Sequence, residues 1–356
     1  MAEPQDTKIP VSVTEARRYI EAVLMGNKVP AEHATIISKA LVAADLRAVD
    51  THGINRIPSY MTRIRSGILD PAAVPIVKQI TPVVHQVDGC NGFGFVAAQR
   101  GIDKAIEAAK VYGIGMTSVK GSNHYGMSAW IVKEALKENM MSLVFTNSSP
   151  ALPPFGGKSK IIGTSPIACG APGKTPDQDF ILDMAPSVAA RGKIYKAKRR
   201  GEQIPGDWAL DADGKPTTDP DAALGGVLLP MGGPKGSALA VMMDVFSGVL
   251  SGSAFAGQVT GPYDFSRPAD VGHFLMVIKP DLFMDLDEFK GRMEHLYKRI
   301  TESEPAYGVD RIYFTGEREI LEQKRREENG IPLVQAEIDA LNEEARKVDV
   351  EELKTL

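Results

Sequence analysis

Apolar positions in the first fifty residues recur at helical spacing. Ala16, Ile20, Val23 and Leu24 fall on one stripe, the mark of an amphipathic helix. Ser12-Val13-Thr14-Glu15 precedes it as a capping box, with a hydroxyl and a carboxylate three apart for the first free amides. A second stripe, Ile36, Ile37, Ala40, Leu41 and Ala44, follows Pro30 and predicts a helix that ends near Gly53. Residues 67–87, rich in proline and β-branched side chains, read as loop with short strands. Residues 97–111 form a helix that Gly113 stops.

Strands and helices then alternate. Residues 114–119 read as a strand, 127–139 as a helix, and 142–146 and 180–184 as further strands. Dense glycine, proline and aspartate make 201–226 a surface excursion. An apolar helix over 236–250, a strand over 273–278 and an amphipathic helix over 286–303 follow. The chain closes with helices over 317–329 and 333–348, whose charge runs are solvated faces. This is mixed α/β patterning without an internal repeat.

A length of 356 residues exceeds one compact domain and implies two or three lobes. Lysine and arginine number 41 against 45 acidic residues, a formal charge of −4. No basic stripe is left for nucleic acid. No apolar run reaches membrane-spanning length, and Met1 to Asp6 lack the basic-then-apolar order of a signal peptide. Cys90 and Cys169 lie in unrelated segments, which suits a reducing compartment. A cytoplasmic protein is the expectation.

Against this background the run Asp50-Thr51-His52-Gly53-Ile54-Asn55-Arg56 stands out. On helical geometry His52 and Arg56, four apart, point the same way. One moves a proton near neutral pH and the other forks onto a carboxylate. Gly121-Ser122-Asn123-His124-Tyr125-Gly126 adds a second histidine between a strand and a helix, where α/β sheets collect ligands, with Lys120 beside it. Asp183 ends another apolar run, and a carboxylate beside an imidazole would fix its tautomer and raise its pKa. A zinc set of His52, His124 and Asp183 lacks any HExxH-like local pair. Met231-Gly232-Gly233-Pro234-Lys235-Gly236 opens a helix with glycines and a lysine, a cradle for a pyrophosphate that lacks nucleoside-triphosphate spacing. No GxGxxG joins a strand to a helix. Residue logic alone gives an α/β enzyme for a small acidic ligand with a phosphate-bearing cofactor.

In combination the markers resemble the malate/L-lactate dehydrogenase family of the non-Rossmann type, from about residue 11 to 332. They run in family order: Thr51-His52-Gly53 with Arg56, Ser122 to Gly126, Pro153-Pro154-Phe155-Gly156-Gly157, Ile162-Gly163-Thr164-Ser165-Pro166, Asp183-Met184-Ala185, Gly233-Pro234-Lys235-Gly236, Val271-Gly272-His273-Phe274 and Gly316-Glu317. The resemblance implies an NAD- or NADP-dependent oxidoreductase, commonly a homodimer with its active site near the subunit contact. It implies an unusual α/β fold with mixed sheets: a helical part (1–85) packing with the C-terminal helices (305–356), around a central cofactor-binding and catalytic domain (86–304). His52 or His124 would exchange the proton, Asp183 would orient the imidazole, and Arg56, Lys120 and Thr51 would meet the substrate carboxylate. Ser148, Thr164, Asp183, Met184, Ala185, Lys235, Gly236, Gly316, Glu317 and Arg318 would contact the cofactor.

Three departures bear on the pocket. Thr51 stands where serine is usual, Ser165 replaces an asparagine, and Ser237-Ala238 follow Lys235-Gly236 where an aromatic is frequent. The expected substrate is a small 2-hydroxy acid such as malate or L-lactate. A cyclic imine carboxylate of the Δ1-piperideine-2-carboxylate kind, or ureidoglycolate, would use the same hydride geometry. A silent binding protein on the same fold is the reading from another class.

Overall fold

The computed structural model describes residues 7–356. A seven-stranded sheet runs through its centre, in the order Ile76–Thr81, Val84–Asp88, Ile114–Ser122, Val271–Ile278, Met141–Thr146, Ile167–Ala171, Phe180–Met184. Val84–Asp88 and Ile114–Ser122 are parallel; the other neighbours are antiparallel. The helices Gly94–Tyr112 and Ala129–Lys137 cover one face. Their buried sides, from Phe95 to Ala109 and from Trp130 to Leu136, merge with Val119, Val144 and Leu275 in the main core. The helix Pro234–Asp244, prolonged by a π-helical turn at Val245–Val249, lies on the other face against Phe145 and Phe274.

The helices Val13–Gly26 and Ala31–Leu46 pack into the same main core. Ser12 caps the first through the Glu15 amide, as the capping box requires. The two ends of the chain meet: Ile9–Val11 pairs with Ile331–Leu333, the Tyr19 hydroxyl donates to the Leu341 carbonyl, and Arg65 grips Glu344 at 2.7 Å.

The second helix stops at Leu46 rather than near Gly53. Ala48 takes a left-handed φ of 58°, and two 3-10 turns, Asp50–His52 and Ile54–Arg56, carry the chain to a short helix, Ile57–Arg65. The stretch 201–226 is not a loose excursion. It contributes the helix Pro220–Gly225 and the pair Ala209–Leu210 with Val227–Leu228 to a second core built on Leu152, Ile194, Ile204 and Ala223. Ile167–Ala171 and Arg191–Arg200 were unforeseen, because one is made of small residues and the other buries only Ile194 and Ala197. Among the described residues no helix is long and apolar enough to cross a membrane, and Cys90 and Cys169 are free thiols.

Candidate active site

The two 3-10 turns set His52 and Arg56 near one another. Gly53, extended between them, breaks helical register, so it is this turn and not a helix face that brings the pair together. Thr51 and His52 share a hydrogen bond of 2.9 Å at Nδ1. The Arg56 Nε–H donates to the Thr51 carbonyl, and Nη1 lies 3.4 Å from the Tyr263 hydroxyl. Arg63, two turns further on, donates to the carbonyls of Gly261 and Asp264 at 3.0 and 2.9 Å and so ties down the loop that carries Tyr263.

His124 arrives from the other side, just beyond the strand Ile114–Ser122. Asn123 anchors it through its amide to Gly92 O at 2.9 Å. Gly94 has no room for a Cβ, which would stand 1.9 Å from the Asn123 carbonyl. The His124 ring stacks on His52 with centroids 5.4 Å apart. Its Nδ1 lies 2.7 Å from the Tyr60 hydroxyl and accepts the Gly126 amide at 3.3 Å. A backbone N–H can only donate, so neutral His124 carries its proton on Nε2.

Both imidazoles are held neutral. His52 is only half-buried by surface area, yet dense surroundings, followed by Arg56, bring it down to about 3. Burial, then His52 and Arg56, push His124 well below the usual histidine value. Tyr60, Tyr263 and Arg63 were not foreseen. Tyr60 carries a signal in hindsight, since His52, Arg56 and Tyr60 follow one another at intervals of four.

Two expectations need correction. Asp183 does not orient either imidazole: its carboxylate accepts the Ala129 amide at 2.7 Å and sits at the start of the helix Ala129–Lys137. Its other face is exposed, and crowding lifts its pKa to about 6. Lys120 faces Asp88 across the parallel strand pair, 3.5 Å away, so its charge is already engaged. With Asp183 apart from the histidines, no metal-binding group of three or more His, Cys, Asp or Glu forms among the described residues.

The remaining candidates cluster around neighbouring chain turns. The Ser148 hydroxyl meets the Ser165 amide at 3.1 Å and lies 3.4 Å from Thr164 Oγ1. Met184 and Ala185 follow Asp183 where the edge strand ends. Lys235 is exposed in the first turn of Pro234–Asp244, after Gly232 and Gly233 turn the backbone through positive φ, and Gly236 is buried against Met231 and Pro186. A cavity of about 700 Å³ opens between Pro153 to Lys158 and Gly232-Gly233. Gly316 starts the helix Glu317–Asn329 with Arg318 exposed beside Tyr313. The Glu317 carboxylate faces inward, bound to the Phe314 amide, Tyr297 and Arg311. An exposed lysine at a helix start, open glycine backbone and a roomy cavity suit a pyrophosphate-bearing cofactor.

Comparison with known proteins identifies the family and the fold. Residues 11–342 match the family model of malate/L-lactate dehydrogenase. The L-sulfolactate dehydrogenase of Methanothermobacter thermautotrophicus is 35% identical over 97% of this chain and 99% of its own. The malate dehydrogenase of Pyrococcus abyssi is 37% identical over 94% of each chain. The structure of malate dehydrogenase from Pyrococcus horikoshii OT3 superposes with a TM-score of 0.90 at 35% identity, covering 99% of both chains. Fold and site thus define a nicotinamide-dependent dehydrogenase acting on a CH–OH group. The chain belongs to the malate/L-lactate dehydrogenase family.

Proposed function

We propose that this dehydrogenase interconverts a small 2-hydroxy acid and its 2-oxo acid, with His52 exchanging the proton and His124 donating a hydrogen bond to the C2 oxygen. The observation that carries the reading is the stacked pair of neutral imidazoles beside the Arg56 guanidinium. NAD or NADP, when bound, accepts or supplies the hydride at C2. Arg56, steadied by Thr51, forks onto the substrate carboxylate. Burial is the larger cause of both depressed imidazoles, and the anion offsets the Arg56 part, so the substrate itself raises the basicity of its proton acceptor.

The division of labour follows from hydrogen bonds. His124 Nδ1 is committed to a donor that cannot reverse, leaving Nε2–H for the developing oxyanion. Among the described residues the His52 ring hydrogen-bonds to a hydroxyl, which donates or accepts, so His52 changes protonation without losing a bond. Ser148, Thr164, Met184, Ala185, Lys235, Gly236, Gly316 and Arg318, with the open face of Asp183, are the residues assigned to the cofactor. The lobe division at 1–85 with 305–356 against 86–304 finds support in the pairing of the chain ends, although the main core spans both parts. A homodimer fits the apolar stripe that Val241, Val245, Val249 and Leu250 expose on the half-covered sheet face. Free thiols suit a cytoplasmic setting.

Because relatives are named for malate and sulfolactate, those acids come first in the test. Absorbance at 340 nm would follow NADH and NADPH with oxaloacetate, sulfopyruvate, pyruvate and Δ1-piperideine-2-carboxylate, and NAD and NADP with ureidoglycolate. Turnover of a 2-oxo acid is expected; activity on the imine alone would displace the reading. His124→Gln should retain more turnover than His52→Gln, since Gln keeps an N–H donor but cannot carry a proton.

A further inference from the structure

The catalytic turn rests on a buried acid that no sequence motif singled out. Asp45 lies in the last turn of the helix Ala31–Leu46 and is 1% exposed. Its Oδ2 accepts the Ile54 amide at 2.8 Å, in the middle of the span that carries His52 and Arg56. Its carboxylate also fills the space beside Gly53, where an added Cβ would stand 1.7 Å from Oδ1. Gly53 has an ordinary negative φ of −93°, so this close approach, and not backbone conformation, demands glycine. From outside, Arg326 on the helix Glu317–Asn329 donates to the Asp45 carbonyl at 2.6 Å and to the Asp50 carboxylate.

We propose that Asp45 is the positioning residue for the catalytic turn, its carboxylate pinning Ile54 and Gly53 so that His52 and Arg56 meet His124 and the substrate together. This rests on the roles given above to His52 and Arg56. A buried carboxylate is costly beside an apolar side chain of similar size. Here its position is one that only a short hydrogen-bond acceptor fills. His124 follows a different strand and meets this segment through the Tyr60 hydroxyl, so movement of the turn shifts His52 and the carboxylate clamp relative to His124. The cofactor residues on Phe180–Met184 and Pro234–Asp244 do not depend on this contact.

The test compares Asp45→Ala, Asp45→Asn and Gly53→Ala for kcat, KM of the preferred acid, nicotinamide Kd by fluorescence, and amide hydrogen exchange at Ile54. Asp45→Ala should lower kcat/KM about 10- to 100-fold, the scale of an ångström-sized misplacement, with KM raised and kcat lowered. Nicotinamide Kd should stay at the native value, and Ile54 should lose protection. Asp45→Asn, which keeps an acceptor oxygen, should recover most of the loss. Gly53→Ala should resemble Asp45→Ala, and the double variant should be no worse than either. Native kinetics in Asp45→Ala, equal damage in Asp45→Asn, or a parallel loss of nicotinamide affinity would overturn the assignment. Native enzyme inert towards every acid would instead count against the functional reading, while Ile54 exchange would still test the pin.

Discussion

The Tyr60 hydroxyl lies 2.7 Å from Nδ1 of His124 and comes from the same short helix whose preceding turn supplies Arg56. Arg56, the proposed substrate clamp, and the imidazole are therefore tied through one segment. Tyr60 is 2% exposed and meets Phe93 and Phe95 edge-on at 6.0 and 5.8 Å, so its ring is fixed by packing before its hydroxyl acts.

Tyr60→Phe keeps that packing and deletes one hydrogen bond. A bond of this kind is worth about 1 kcal/mol, and kcat should fall roughly 5- to 10-fold by the rate relation. Steady-state kinetics with a thermal melt check both halves, since the melting temperature should barely move. An unchanged kcat would mean that Gly126 alone sets the His124 ring.

Arg56→Lys conserves charge but loses the planar fork. Because Nε is already committed to the Thr51 carbonyl, the guanidinium enters the site with a fixed orientation that an ammonium cannot copy. KM for the acid should rise about 10- to 100-fold, as expected for losing a bidentate charge-assisted pair, with a smaller fall in kcat. A KM near the native value would place the carboxylate elsewhere.

The helices with a clear apolar stripe were legible in the sequence because packing followed the stripe. Val13–Gly26 kept the Ser12 half of its capping box, while the Glu15 carboxylate turns to Arg18 and the Lys354 amide. The strand Ile167–Ala171 was not legible, since Ala168, Cys169 and Gly170 lack the β-branched signal and gain strand character only from neighbours on both sides. In the site, His52, Arg56 and His124 were named from local context and do stand together. Asp183 was misassigned because nothing in a sequence tells which of two nearby groups, an imidazole or a helix start, takes a carboxylate. Tyr263 and Asp45 were invisible for related reasons. Tyr263 meets Arg56 across 207 residues, and the Asp45 contact closes a local turn that depends on the left-handed Ala48, which the apolar pattern does not announce.

The pH profile separates a depressed histidine from an ordinary one. In oxidation of the hydroxy acid the base must be neutral, and kcat/KM reports the free enzyme. With His52 held to about 3 by burial and Arg56, it is already neutral throughout pH 5 to 8. The profile should show no fall centred on the usual histidine value of about 6.5. Arg56→Gln removes the second cause and should move the His52 titration upward while burial still holds it below an ordinary histidine. A native midpoint near 6.5 that vanishes in His52→Gln would contradict the geometry.

His273 offers a test of stability rather than rate. It is fully buried behind Tyr125, with Nδ1 at 2.7 Å from Thr146 Oγ1 and Nε2 at 2.9 Å from Ser122 Oγ, and burial brings it down to about 3. In the unfolded chain it titrates near 6.5. Between these values the unfolded chain binds a proton that the folded one refuses, so the contribution of His273 is intact above 6.5 and is lost as pH falls towards 3. Asp183 acts with the opposite sign. Its folded pKa of about 6 lies above its unfolded value, so its contribution is present at low pH and lost as pH rises through 6. Acid destabilisation below pH 6 therefore measures the buried histidines against opposing carboxyls, Asp183 and the buried Asp45 among them. His273→Gln should flatten the slope of unfolding free energy between pH 6 and 4 by about 1 kcal/mol per pH unit, close to the limit for one proton. Urea unfolding at several pH values reads that slope directly, and the pH-independent cost of the substitution cancels from it. An unchanged slope would mean that His273 takes up its proton in the folded state.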